Sequence, residues 1–158
     1  MRLLSTGFAA LPLLLAAGFA QAAGRLVVTD AWIREPPPGA TMLAGYATLK
    51  NDGDEAVSVL TVQSDAFRMA SLHETVVAEG MSKMRELHRL DLAPGASVEL
   101  KPAGKHLMLM HPRSEVHAGD RVDVRFLLGD GQRVETYFVV AAPAAEAAED
   151  DHSHHHSH

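Results

Sequence analysis

Lys105-His106-Leu107-Met108-Leu109-Met110-His111 is the stretch whose reading decides the fold. Apolar leucines alternate strictly with histidine and methionine. In a β-strand this period of two sends Leu107 and Leu109 to one face, and His106, Met108 and Met110 to the other. The leucines predict a buried face. The opposite face is then an outer surface of unusual chemistry, poorly suited to water yet rich in the soft donor atoms that bind metals. Pro102-Ala103-Gly104 predicts a turn into this strand, and His111-Pro112 closes it.

Strand patterns continue on both sides. Leu26 to Ile33 predicts a first strand, broken by Glu35-Pro36-Pro37-Pro38-Gly39 because proline cannot donate to a ladder. Met42 to Lys50 predicts a second, followed by a turn at Asn51-Asp52-Gly53-Asp54. Val57 to Val62 is continuous and β-branched. Ala70 to Val77 and Met81 to Leu87 flank a hairpin turn at Ala78-Glu79-Gly80, and the strand reading of the second arm is preferred over a short helix across Ser82 to Leu90. A short strand carries Val98 and Leu100. Val122, Val124 and Phe126 alternate with polar residues, as do Val134, Thr136, Phe138 and Val140 beyond the Gly129-Asp130-Gly131 turn. Many short strands, turns at near-regular spacing and no long helix predict an all-β fold, an antiparallel β-sandwich or Greek-key barrel.

The chain divides into three segments. Residues 1–22 read as a secretory signal peptide: Met1-Arg2, an apolar run interrupted by Gly7, Pro12 and Gly18, then the small-x-small pattern Ala20-Gln21-Ala22, with cleavage expected after Ala22 or Ala23. No membrane span is expected after cleavage. Residues 23–140 form the folded domain. Residues 141–158 are expected to be a disordered Ala/Glu-rich linker ending in a His-rich metal-binding tract, His152, His154, His155, His156 and His158, whose composition suits Cu(II) or Zn²⁺ and is read as native rather than as an expression tag.

Composition excludes several classes. The formal net charge of −6 argues against nucleic acid. With no cysteine there can be no disulfide framework, catalytic thiol or blue-copper centre. No acid–base pair or nucleophile stands in a supporting context, so an enzyme is not expected.

The remaining chemistry lies in His and Met. A hairpin turn centred between Ala78 and Glu79 would set His73 directly opposite Met84, where facing Cβ atoms lie about 4.5–5.5 Å apart. His106 and Met108 form a second same-face pair on one strand. Convergence of the two pairs, which spacing leaves open, would make a His₂Met₂ site. Thioether and imidazole are neutral donors that select Cu(I), and a carrier of that ion is the natural use. Met81 and Met110 are secondary metal candidates, Met81 as a substitute or shield for Met84 and Met110 as apolar cover, and Met42 is similar in standing. Met69 is expected to be core filler, and His88, His111 and His117 ordinary surface or hydrogen-bonded histidines.

These residues carry a family resemblance. His73, ten residues, Met84, twenty-one residues, then His106-Leu107-Met108 resembles the signature of the periplasmic PCuAC copper chaperones. Ala31-Trp32-Ile33-Arg34, Gly45-Tyr46-Ala47-Thr48-Leu49, Leu72-His73-Glu74 and Val98-Glu99-Leu100-Lys101-Pro102 resemble the family too, over Leu26 to Val140. The resemblance implies a cupredoxin-like β-sandwich, Cu(I) held by His73, Met84, His106 and Met108, and a periplasmic location. It implies delivery towards the CuA domain of cytochrome c oxidase subunit II, with a Sco-like thioredoxin-fold partner, and a tail that binds further copper. A monomer is expected. The alternative is a periplasmic copper or zinc buffer with no dedicated acceptor.

Overall fold

A computed structural model describes residues 23–142; the expected signal peptide and the histidines of the C-terminal tract lie outside the described residues. Ten strands follow one another: β1 (Leu26–Arg34), β2 (Met42–Asn51), β3 (Val57–Gln63), β4 (Phe67–Ala78), β5 (Met81–Leu87), β6 (Leu90–Leu92), β7 (Ser97–Leu100), β8 (Lys105–Pro112), β9 (Arg121–Leu128) and β10 (Arg133–Ala141). There is no helix among the described residues, so none is long and apolar enough to cross a membrane.

The strands run β5-β4-β8-β2-β1-β10-β9-β3-β6, with β7 pairing β2 beyond the end of β8. The order is open at β5 and β6, which makes a sandwich rather than a closed barrel. One pair departs from the expected antiparallel plan: β1 and β10 are parallel, with Trp32 opposite Val139. β1 is the hinge of the sheet. Its first half pairs only with β2, its register shifts between Thr29 and Trp32, and its second half pairs with both β2 and β10. Asp30 takes a left-handed φ of 52° at that bulge, bending the strand so that it joins the two layers.

Both layers feed one core. Leu72, Leu107 and Leu109 from β4 and β8 are clustered with Val124, Phe126 and Phe138 from β9 and β10. β9 shows why the sequence folds this way: Val122, Val124, Phe126 and Leu128 are all buried while Arg121 and Asp123 are exposed. Burying each such side chain contributes roughly 1.5–3 kcal/mol. Asn51, expected in a turn, instead ends β2 fully buried. Its side chain accepts from the Arg25 and Gly53 amides and donates to the Glu55 and Leu92 carbonyls, so a buried polar group is satisfied while tying β2 to β6.

Candidate metal centre

β4 lies between β5 and β8, and the four expected ligands fall on these three strands. His73 and His106 are directly opposed across β4 and β8, with ring centroids 6.0 Å apart. Met108 follows two residues along β8, opposite Ser71. Met84 on β5 lies opposite Thr75, and Glu86 lies opposite His73. By alternation His73, Met84, His106 and Met108 share one face of the sheet.

Two expectations need correction. Met84 is diagonal to His73, not directly across from it. The hairpin turns on Glu79-Gly80, both with positive φ (56° and 76°), rather than between Ala78 and Glu79. A two-residue turn with both residues left-handed matches strand twist, and glycine takes the second position at no steric cost. The register moves by two residues, which preserves the face; a shift by one would have sent Met84 to the other side. His106 is also not on an open surface: it is only 6% exposed, while Met84 on the edge strand is 54% exposed. The site is thus closed at β8 and open at β5.

The imidazoles are set up differently. Nδ1 of His106 lies 3.0 Å from the Gly104 carbonyl oxygen. A carbonyl can only accept, so Nδ1 carries the proton, and in the neutral ring the lone pair is then on Nε2. His73 Nε2 lies 2.9 Å from the Ser71 hydroxyl, while its Nδ1 is buried with no hydrogen-bond partner. A buried polar atom left unpaired costs about 1–3 kcal/mol, and a metal ion would satisfy it. Desolvation holds the His73 pKa below the ordinary imidazole value, opposed by Glu86 and reinforced by His106. Burial therefore favours the neutral, ligating form of His73. An imidazole nitrogen sits about 2 Å from a d¹⁰ ion such as Zn²⁺, so rings at this separation can share one ion.

The reverse face holds residues whose role sequence reading missed. Glu74, next to His73, accepts from Lys105 Nζ (2.5 Å) and Arg85 Nη2 (2.7 Å). Lys105 precedes His106 and Arg85 follows Met84. One carboxylate thus clamps the three strands beside three of the four candidate ligands. The two cations hold its pKa below the usual carboxylate range, the Lys105 hydrogen bond contributing most. The charge pattern was visible in the sequence; only the strand register shows that it converges.

The secondary candidates separate. Met81 pairs with Ala78 at the hairpin turn, on the opposite face from Met84. Met110 shares the face of His106 and Met108, between Met42 of β2 and Met69 of β4. Met69 is not core filler, being 57% exposed. His88, His111 and His117 are exposed, as expected. Among the described residues no three His, Cys, Asp or Glu side chains are grouped to hold a metal.

Comparison with known proteins follows the same outline. Residues 26–140 match the family model "Putative lipoprotein LpqE-like". Protein Lxx21020 of Leifsonia xyli subsp. xyli is 32% identical over 105 residues, 66% of this chain and 62% of that protein. Protein RP573 of Rickettsia prowazekii is 30% identical over 88 residues, 55% of this chain and 49% of its own length. The match thus spans about half to three-fifths of these curated relatives. Among solved structures, a copper-bound PCuAC domain from PmoF2 has a TM-score of 0.63 at 22% identity, covering 76% of this chain and 95% of that domain. The solution structure of CuI-DR1885 from Deinococcus radiodurans has a TM-score of 0.61 at 26% identity, covering 77% of this chain and 81% of that one. The family match and the likeness of fold agree: the chain belongs to the LpqE-like family and has the cupredoxin-like β-sandwich fold of the PCuAC domains.

Proposed function

We propose that the protein is an exported Cu(I) metallochaperone whose cargo is held by His73, Met84, His106 and Met108. The observation that carries this reading is the directly opposed imidazole pair, with one nitrogen orphaned on His73 and Nε2 free on His106, flanked on the same face by two thioethers. All four donors are neutral, and softness rather than charge selects the ion. Cu(I), like Zn²⁺, is a d¹⁰ ion without a geometric preference from its d-electrons, so a site assembled from three strands can accept it. The similar Deinococcus protein was solved in its Cu(I) form, which supports the same cargo here.

Transfer follows from the asymmetry of the site. His106 is held by the core, whereas Met84 stands on an exposed edge strand and is the ligand free to leave first. An acceptor offering thiolates would replace the thioethers in turn and draw the ion away. The CuA domain of cytochrome c oxidase subunit II and a Sco-like protein are the acceptors proposed. Export is supported by the signal-like pattern of residues 1–22 and by the similarity of the chain to a lipoprotein family.

The test is a Cu(I) titration of the full-length protein against a colorimetric Cu(I) chelator under reducing conditions. One ion should be held tightly, and replacing His106 and Met108 together should abolish its retention. A double variant with full affinity would place the site elsewhere. The His-rich tract supports the buffer reading as an alternative; rapid, one-way transfer to an isolated CuA domain separates a chaperone from a buffer, which only equilibrates.

A further inference from the structure

The four-residue site leaves part of the ligand face unused. The rung of the sheet beyond Met108 is made entirely of methionine: Met42 of β2, Met110 of β8 and Met69 of β4 are directly opposed in series. Met42 is 60% and Met69 57% exposed, with Met110 half-buried between them. These side chains do not fill the core, and water is a poor environment for three neighbouring thioethers. β5 stops pairing with β4 at Leu72–Leu87, so the Met69 end of the rung is also open at the side.

We propose that Met42, Met69 and Met110 form a second, all-thioether site for a soft monovalent ion, Cu(I) or its analogue Ag(I). Adjacent strands lie about 4.8 Å apart, so the two outer backbones are roughly 10 Å apart, within reach of unbranched side chains leaning towards the central sulfur. Three neutral sulfur donors select soft ions and reject Mg²⁺, Ca²⁺ and protons. Met108 lies on β8 between this rung and the His73–His106 rung, two residues from each, or about 6.6 Å along a strand. It therefore adjoins both sites and gives an ion a stepwise path from the exposed thioethers to the imidazole pair. The identity of the cargo rests on the reading above; the site itself rests on different residues.

The test is Ag(I) titration of the full-length protein carrying ¹³C-labelled methionine methyl groups, followed by NMR at neutral pH and at about pH 5. The lower pH disfavours binding to imidazole, whose reference pKa is about 6.5, whereas thioethers do not titrate. The methyl signals of Met42, Met69 and Met110 should shift together with a common saturation point that persists at the lower pH. M110L removes the central sulfur at nearly constant volume, and should weaken the response of Met42 and Met69 at least about tenfold. H73Q/M84L should lose the first ion and retain the methionine response. If that double variant keeps the first ion, the four-ligand reading fails while this one stands. The proposal is overturned if the three methyl signals ignore Ag(I), if they shift without a common saturation, or if M110L leaves Met42 and Met69 unchanged. Movement with protein concentration instead of Ag(I) would make the rung a contact between copies and would equally overturn it.

Discussion

β8 and β5 both supply candidate ligands, yet they are built in opposite ways. β8 is paired on both sides, by β4 and β2, and Leu107 and Leu109 are fully buried beneath His106 and Met108. β5 pairs only with β4, and every residue from Met81 to Glu86 is exposed. The core therefore fixes His106 and Met108, whereas Met84 is fixed only by a tight turn, a ladder and the Glu74 clamp. A site with one anchored side and one edge-strand side can hold an ion and still release it, because the edge opens locally at far lower cost than the core.

The largest expected effect is on stability. Leu107→Ala removes a fully buried side chain and should cost about 2–5 kcal/mol in chemical denaturation. Lys83→Ala on β5 should stay within about 0.5 kcal/mol. Equal costs would erase the distinction between the two strands. Next comes metal retention. His106→Ala should remove it, while Met84→Leu should weaken Cu(I) about tenfold or more, chiefly by faster release, as read by chelator competition and stopped flow. A Met84→Leu protein that releases the ion no faster would show that β5 is not the exchanging side.

Smaller effects test the hairpin. Gly80→Ala forces a side chain into a left-handed conformation at a cost of roughly 1–2 kcal/mol. Amide exchange should speed up in β5 and be unchanged in β8; a uniform increase would mean that the hairpin does not open as a separate unit. The smallest effect is at Glu74. Because its folded-state pKa is lowered, its contribution is fully present above the unfolded carboxyl value of about 4.3 and is lost as pH falls through the lower folded value. Amide exchange along β5 should rise in that acid window, and Glu74→Gln should remove the pH dependence. An unaltered acid profile in Glu74→Gln would show that the clamp does not order the hairpin.

Local patterns were readable where side chains alternate over several residues, as in β8 and β9. Leu90-Asp91-Leu92 is too short to display a period, and β6 escaped sequence reading for that reason. The parallel pairing of β1 with β10 joins opposite ends of the domain and leaves no local trace. The candidate ligands could be named from residue type and spacing, yet their arrangement could not. The direct opposition of His73 and His106 depends on a long-range register, and the position of Met84 on which residues of the turn adopt positive φ. Met69 was misread because a lone methionine is ordinarily core filler; its neighbours Met110 and Met42 lie far from it in sequence and meet it only in the sheet.

The most direct measurement is Cu K-edge X-ray absorption of the full-length protein loaded with a single equivalent of Cu(I). Equal numbers of nitrogen and sulfur neighbours are expected, with the nitrogen and sulfur shells both changed when His106 and Met108 are replaced. A shell of nitrogen alone, or one indifferent to that replacement, would contradict a centre built from His73, Met84, His106 and Met108.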